Sequence, residues 1–473
     1  MRRARSRQRW TAQVSCTIAK IPCMWPAWWM RSFRTAHCRT RSCKNSLQSC
    51  DGGRRMTLQE RSSRSSMTSC AARARRRHAS RSTSGSSSTW RRNSRKSGSF
   101  ALLRSKRCRR KGKTPMIVNQ WVPAAHRGDA IGDSARRVRD LLRGMGHRSE
   151  LYALTIDDDL QGEVRPFIDR AAFAGNVTIF HYALPSPMSA AFASLEGERI
   201  LQYHNVTPAS YFAPFDSALF RLASLGRQEL ATLAGSVDLA LGDSEYNRQE
   251  LESIGFAQTG VFPIAVDTAR VTQRVDRPAL DEVLDDRYVN FLFVGRIAPN
   301  KKIEDHIRLA EHYKRYVDAY YRFIFVGRYD VVPRYYSMIR ALMSEYRMLN
   351  ERFIFTGPLP DEELAVCYRH AAVYVSMSEH EGFCVPLVEA MATDVPILAF
   401  AAAAVPDTLG DAGMQFAPKN FEYAAELLGT LAFDDDVRRR VIEGQRRRLA
   451  EFGDDRIVRE IETILRRPQG RRQ

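Results

Sequence analysis

The chain has 473 residues, enough for two or three domains with full cores, and its 44% apolar content agrees with a soluble globular protein. A formal net charge of +20 invites a nucleic-acid reading, but residues 1–115 hold 31 Lys and Arg against two acids, Asp51 and Glu60, leaving 42 basic against 51 acidic residues beyond them. The body of the protein is therefore mildly acidic, and no nucleic-acid partner is expected for it.

In chain order, residues 1–115 lack hydrophobic periodicity, are crowded with Arg and Ser, and carry seven of the nine cysteines, so a disordered basic N-terminal extension is expected. Cys16, Cys23, Cys38, Cys43, Cys50, Cys70 and Cys108 contain no CxxC pair and no His at finger spacing, which argues against a zinc site. Their odd number argues against a disulfide framework. The apolar run 21–30 is broken by Pro26 and falls well below the ~20 residues of a membrane-crossing helix, so neither a signal peptide nor a span is expected. A strand then begins abruptly at Met116 in MIVNQWVP. A misplaced start codon or a frame error upstream would produce that discontinuity; a genuine basic tail touching RNA or anionic lipid is the rival.

From residue 116 on, short apolar strands alternate with amphipathic helices, the pattern of parallel sheets covered on both faces. Strands are predicted at 117–121, 149–153, 177–181, 200–204, 239–242 and 261–263, then, after a looser stretch over 267–287, at 289–295, 321–327, 352–357, 371–375 and 395–399. This is an α/β chain of two doubly wound Rossmann-like domains facing a central cleft, with ligands beyond the carboxyl ends of the strands. The expected domains cover 116–275 and 276–450. A helical, Arg-rich segment over 437–465 follows, and its part from 451 returns to brace the first domain.

The clearest chemical signal is residues 376–391, SMSEHEGFCVPLVEAM, which set Glu381 and Glu389 eight positions apart around a strand-to-helix turn. Pro386 suits a first helical position, so this loop aims backbone N–H groups at one point, where an anion would bind. Glu389 could accept hydrogen bonds from two adjacent ribose hydroxyls and Glu381 from hydroxyls of a sugar. A solitary acid there would be only a favourable charge at a helix start, but two acids flanking Gly382 point to function. In residues 294–301, VGRIAPNK, Arg296 and Lys301 follow a strand and could neutralise a departing diphosphate; a merely solvated basic loop, with Lys302 adjacent, is the bland alternative.

In the first half, residues 127–133, RGDAIGD, follow the opening strand. Gly128 and Gly132 permit close approach of backbone to a ligand, and Asp129 and Asp133 could hold sugar hydroxyls or an acceptor; a plain helix-capping loop is the alternative. His181 and His204 end two strands facing the cleft and are further candidates. Cys384 has no evident base beside it and reads as a small buried filler rather than a nucleophile. His370, His380 and Glu381 lack an organised spacing, so no metal is expected.

Together these residues resemble the retaining family 4 glycosyltransferases, which have the GT-B fold and use nucleotide-diphosphate sugars. The resemblance spans about 116–465. GRIAPNK at 295–301 is similar to the family's Gly-Arg loop, implying that Arg296 and Lys301 contact the diphosphate. SEHEGF at 378–383 followed by PLVEAM at 386–391 is similar to its paired-glutamate signature, implying that Glu381 holds the donor sugar and Glu389 the ribose, with Gly382, Phe383 and Cys384 lining the pocket. PDTLG at 406–410 is similar to a loop near the phosphates, and GPLP at 357–360 to a base-facing segment that places Gly357 at the donor, as Gly132 is from the other domain. His181 sits where the family often has an active-site histidine, completing a catalytic set with Glu381, Arg296 and Lys301. Asp129, Asp133 and His204 are auxiliary or acceptor residues.

Three departures bear on donor geometry: Cys384 stands where glycine is usual, Lys302 replaces the common glycine after the lysine, and Asp407 replaces the commoner glutamate. The resemblance implies a hexosyltransferase moving sugar from a GDP- or UDP-linked donor to an acceptor hydroxyl, with no cofactor or metal required. It implies a cytoplasmic protein and leaves peripheral association with the inner membrane surface open. The rivals are a sugar phosphorylase or epimerase of the same fold and a noncatalytic nucleotide-sugar or nucleic-acid-binding protein.

Overall fold

The computed structural model describes residues 115–348 and 351–467. The expectations for residues 1–114, including the seven cysteines, lie outside the described residues. The first half forms one parallel sheet from β1 (Val118–Ala125), β2 (Leu151–Ile156), β3 (Arg165–Pro166), β4 (Val177–Tyr182), β5 (Glu198–Tyr203), β6 (Leu239–Gly242) and β7 (Thr259–Val261), ordered β3-β2-β1-β4-β5-β6-β7. The second sheet contains β8 (Val289–Val294), β9 (Tyr321–Val326), β10 (Phe353–Gly357), β11 (Val373–Ser376), β12 (Ile397–Phe400) and β13 (Met414–Phe416), ordered β10-β9-β8-β11-β12-β13, again parallel. These are the two doubly wound Rossmann-like sheets read from the sequence.

The period of two along each strand builds a core on both faces. In β8, Phe291 and Phe293 enter one apolar cluster and Leu292 the opposite one; in β11, Val373 and Val375 divide from Tyr374 in the same way. In the first sheet, Val177 and Ile179 of β4 face Val138 and Leu142 of the helix Ala130–Gly144, while Phe180 and Tyr182 join Trp121 and Phe192 on the other side.

Several boundaries differ from the sequence reading. The strand placed at 261–263 lies at Thr259–Val261, since Pro263 has no N–H to extend the ladder. Pro123 lies inside β1 because pairing with β2 steps over it, from Val122 opposite Ala153 to Ala124 opposite Thr155. The two-residue β3 and three-residue β13 are too short to show alternation in sequence. The helix expected over 437–465 is two helices, Asp435–Leu449 and Asp454–Leu465, parted at Gly453. The second buries Ile457 and Ile461 against the first sheet's core, and Asp454 accepts a 2.9 Å hydrogen bond from Arg137 Nε.

The winding positions the site. In the first sheet the chain leaves β1 toward β2 on one side and β4 on the other; in the second it leaves β8 toward β9 and β11. At such a reversal the loops beyond the carboxyl ends part and open a crevice. The halves also touch: Phe212, Phe215 and Leu219 pack against the second sheet's core, with Phe215 edge-on to Tyr335 at 5.2 Å. Among the described residues no helix is long and apolar enough to cross a membrane.

Candidate active site

Because β8 and β11 are neighbours, with Phe291 opposite Val373 and Leu292 opposite Tyr374, the loops that leave them meet. Lys301, ending the short turn Pro299–Lys301, places Nζ 2.5 Å from both carboxylate oxygens of Glu381. Asn300 laces the loops together: its Nδ2 donates to the His380 carbonyl at 2.9 Å, and its own carbonyl accepts from Glu379 N at 2.9 Å. Lys419 braces them too, donating to Asp305 at 2.6 Å, to Glu379 at 2.9 Å and to the Met377 carbonyl at 3.0 Å. Arg296, on the same loop as Lys301, is exposed and has no hydrogen-bond or ion-pair partner among the described residues. Among the described residues this loop thus carries an unpartnered arginine and a lysine neutralised by Glu381.

Backbone conformation explains two of the departures noted above. Lys302 has φ 51° and Cys384 φ 70°, the left-handed region that glycine enters freely and other residues enter at about 1–2 kcal/mol. Each residue stands immediately before a helix, Ile303–Tyr316 and Val385–Ala392. The Cys384 side chain packs among Leu387, Ala390 and Met391, and burial pushes its thiol well above the usual range, as a packing residue rather than a nucleophile requires.

Glu389 points inward from the Val385–Ala392 helix and is 0% exposed. Its Oε1 accepts from Arg270 Nε at 3.0 Å and from a second guanidinium nitrogen of the same residue; its Oε2 accepts from the Tyr368 hydroxyl at 2.8 Å. Arg270 belongs to the short helix Ala269–Thr272 in the connection between the sheets and also reaches Asp361 at 3.3 Å. Neither Arg270 nor Tyr368 could be picked out in sequence, since one lies in a patternless connection and the other reads as helix core. Phe383 turns into an apolar cluster with Ile264, Val266 and Val388. Gly357, at φ 77°, ends β10, two strands from β8 on the side away from β11.

In the first half the loop after β1 resolves into a helix start. Asp129 caps Ala130–Gly144, accepting from Gly132 N at 3.2 Å, so Gly132 lies in the first turn rather than in an open loop. Asp133 pairs with Arg136; burial raises its carboxyl, with Arg136 and then Arg270 opposing, which puts Asp133 within electrostatic range of the residue that holds Glu389. His181 does not face the cleft: it is fully buried, with Nδ1 2.9 Å from His204 Nε2 and Nε2 2.9 Å from Gln120 Oε1. His204 Nδ1 in turn lies 2.8 Å from Asp243 Oδ2.

The two halves meet at the glutamate loop. A Cβ on Gly382 would stand 2.8 Å from Asn205 Cβ and 2.9 Å from the His204 carbonyl, so only glycine lets the loop approach this closely. His380 Nε2 lies 2.8 Å from Asn205 Oδ1, and the Asn205 amide is fixed because its Nδ2 donates to Asn247 Oδ1 at 2.8 Å. Burial, followed by the charge of Arg227, lowers His380 to about 4, so its ring is neutral and donates through Nε2. Asp407 accepts from Tyr246 N at 2.6 Å across the same seam. Among the described residues no group of three or more His, Cys, Asp or Glu could hold a metal ion.

Residues 278–448 match the family described as Glycosyl transferases group 1. The serotype-specific mannosyltransferase WbdA of Escherichia coli is 29% identical over 139 residues, 29% of this chain and 17% of that protein. The MMP alpha-(1->4)-mannosyltransferase of Mycolicibacterium hassiacum is 38% identical over 96 residues, 20% of this chain and 23% of that protein. The matched stretches thus span less than a quarter of these relatives. Among solved structures, Anabaena HepE in complex with UDP-glucose superposes with a TM-score of 0.59 at 15% identity, covering 74% of this chain and 99% of that one. The described chain therefore has the GT-B fold, and its second half, over residues 278–448, matches the Glycosyl transferases group 1 family.

Proposed function

We propose that the protein is a retaining hexosyltransferase of glycosyltransferase family 4, transferring a sugar from a nucleotide-diphosphate sugar to an acceptor hydroxyl. The observation that carries this reading is the Lys301–Glu381 pair, held at 2.5 Å where the loops of adjacent strands β8 and β11 meet, beside the unpartnered Arg296. A diphosphate entering there takes Lys301 and Arg296 as counter-ions and meets the N-terminus of the helix Val385–Ala392. Glu381, released from Lys301, accepts from hydroxyls of the sugar, and Glu389 accepts from the ribose diol once Arg270 draws aside from its Oε1.

In the transfer step the bond from the anomeric carbon to the diphosphate oxygen breaks and a bond to the acceptor oxygen forms on the same face. The acceptor's proton leaves with the diphosphate. Negative charge grows on the leaving group, so Arg296 and Lys301 lower the barrier by stabilising it, and no carboxylate nucleophile is required. His181, fully buried between Gln120 and His204, acts by positioning rather than by touching substrate. Gly132 and Gly382 let backbone approach the donor, with Asp129 and Asp133 on the acceptor side. The two relatives named above are called mannosyltransferases, so GDP-mannose is the first donor to test and UDP-glucose the second.

The test is a donor screen on the purified chain, read by mass spectrometry of released nucleotide, with calorimetry of donor binding to the wild type and to Glu389→Ala. Release that needs an acceptor and no inorganic phosphate, with donor binding weakened at least tenfold in the variant, is the expected result. Phosphate-dependent release points instead to a phosphorylase, and failure to bind any nucleotide sugar overturns the reading.

A further inference from the structure

Gln120 inside β1, His181 near the end of β4, and His204 and Asp243 just beyond β5 and β6 belong to four adjacent strands and form one buried hydrogen-bonded belt. Its two ends are fixed by backbone carbonyls. At one end Gln120 Nε2 donates to the Ala135 carbonyl at 3.0 Å. Turning the amide over would set two acceptor oxygens against each other, so Gln120 presents Oε1 to the belt. At the other end Gln202 Nε2 donates to Asp243 Oδ1 at 3.1 Å and faces the Phe262 carbonyl at 3.4 Å, so Asp243 receives a donor there and keeps Oδ2 for His204.

Protons can now be counted inward. Gln120 Oε1 is an acceptor, so His181 Nε2, 2.9 Å away, carries a hydrogen. His181 is 0% exposed, no carboxylate among the described residues hydrogen-bonds to it, and burial pushes it well below its ordinary value; it is neutral, and its Nδ1 is an acceptor. His204 Nε2, 2.9 Å from that nitrogen, must then donate. The other His204 nitrogen lies 2.8 Å from Asp243 Oδ2, an oxygen that also demands a hydrogen between them. The imidazole planes are within 6° of parallel with centroids 5.2 Å apart, an arrangement that suits an in-plane N–H to N hydrogen bond.

We infer that Asp243 and His204 together hold one proton more than a carboxylate and a neutral imidazole would. They form a buried imidazolium–carboxylate pair that fixes His181 as its Nε2–H tautomer and makes Asp243 a positioning residue for the cleft. Its consequence is felt one residue on. Asn205, at φ 71°, carries the contact to His380, and the His204 carbonyl abuts Gly382, so the pair sets the surface against which the glutamate loop rests.

Asp243→Asn supplies a sharp test, because an asparagine can accept from Gln202 through its oxygen and donate to His204 through its amide. The belt then closes with His204 neutral. The full chain, labelled with ¹⁵N only at histidine, is examined at pH 7.5, and His204 is assigned by difference from His204→Gln. Both ring nitrogens of wild-type His204 are expected to be protonated; in Asp243→Asn its Nδ1 becomes an unprotonated acceptor while His181 keeps Nε2–H. An unprotonated ring nitrogen on wild-type His204 overturns the inference, and needs neither substrate nor the variant to fold. The activity arm rests on the proposed transfer reaction. There Asp243→Asn is expected to lower turnover by roughly tenfold to 10²-fold, the effect of a misplacement of about 1 Å, with donor KM unchanged. A folded Asp243→Asn with wild-type turnover overturns the positioning role and leaves the donor-pocket reading intact.

Discussion

Arg270→Met removes the guanidinium that neutralises a carboxylate sealed inside the protein while keeping the apolar stem. Glu389 is 0% exposed on its side chain and Arg270 is 24% exposed. In the variant, Oε1 of Glu389 loses its donors and Tyr368 alone remains, on Oε2. Breaking a buried pair by taking one partner costs about 3–5 kcal/mol; because Arg270 is partly open, water reaches the vacated place and the lower end, about 3 kcal/mol, is expected. At about 2 °C per kcal/mol for a chain of this size, Tm falls by about 6 °C. Glu389→Gln removes the charge instead, so the double variant is expected to be more stable than Arg270→Met alone, with a coupling energy of about 2 kcal/mol or more. Thermal and urea unfolding of the four proteins supply the cycle. Single effects that add to within about 0.5 kcal/mol would refute the claim that this pair is a coupled, desolvated unit.

Three further outcomes follow from the same geometry. Arg296→Ala and Lys301→Ala should each lower turnover on the order of 10² to 10³ with the fold retained by circular dichroism, and near-wild-type rates for both would remove them from the transition state. His380 has a folded value of about 4, depressed from an ordinary 6.5, so between those values the unfolded chain binds the extra proton and stability falls as pH drops. That loss is about 3 kcal/mol, and His380→Gln, which cannot charge, should flatten the fall in Tm between pH 6.5 and 4; an unchanged slope would mean the ring is not desolvated. Lys302→Gly relieves a left-handed backbone at the expense of ion pairs to Glu379 at 3.3 Å and Glu304 at 3.6 Å. A net gain of up to about 1 kcal/mol in unfolding free energy is expected, and a loss above that would show that the pairs outweigh the strain.

What could be read in the sequence was what is local and periodic. Runs such as YRFIFV and VNFLFV are continuous because β9 and β8 are buried on both faces, and they stood out for that reason. Lys301 and Glu381 stood out because each follows such a run. The unusual residues Cys384 and Lys302 were visible as replacements for glycine, but the reason, a positive φ before each helix, is a backbone fact. Arg270, Gln120 and Asp243 were not legible, since their importance lies in partners 119, 61 and 39 residues away that only the folded chain brings together. Asp243 had one overlooked signal: it follows β6 as His204 follows β5, at the same edge of the sheet.

The arrangement also explains how a charged pocket can be stable before a ligand arrives. Lys301 is only 18% and Glu381 9% exposed on the side chain, so neither could stay unpaired without a large desolvation penalty, and each is the other's partner. Under the proposed function, binding a donor is an exchange rather than a creation of ion pairs: the diphosphate would replace Glu381 at Lys301, and sugar hydroxyls would replace Lys301 at Glu381. An anion that brought no hydroxyls would satisfy the lysine but strand the glutamate. Under the proposed function, an intact nucleotide sugar should therefore bind more tightly than free phosphate. The same logic places the extra recruitment of charge on Arg296, which enters the exchange with no partner to give up. Across the seam, Tyr335 ties this loop to the first half. Its hydroxyl accepts from Ile303 N at 2.8 Å, at the start of the helix that follows Lys301, while its ring meets Phe215. A shift of either half would thus bear on the loop that carries Lys301.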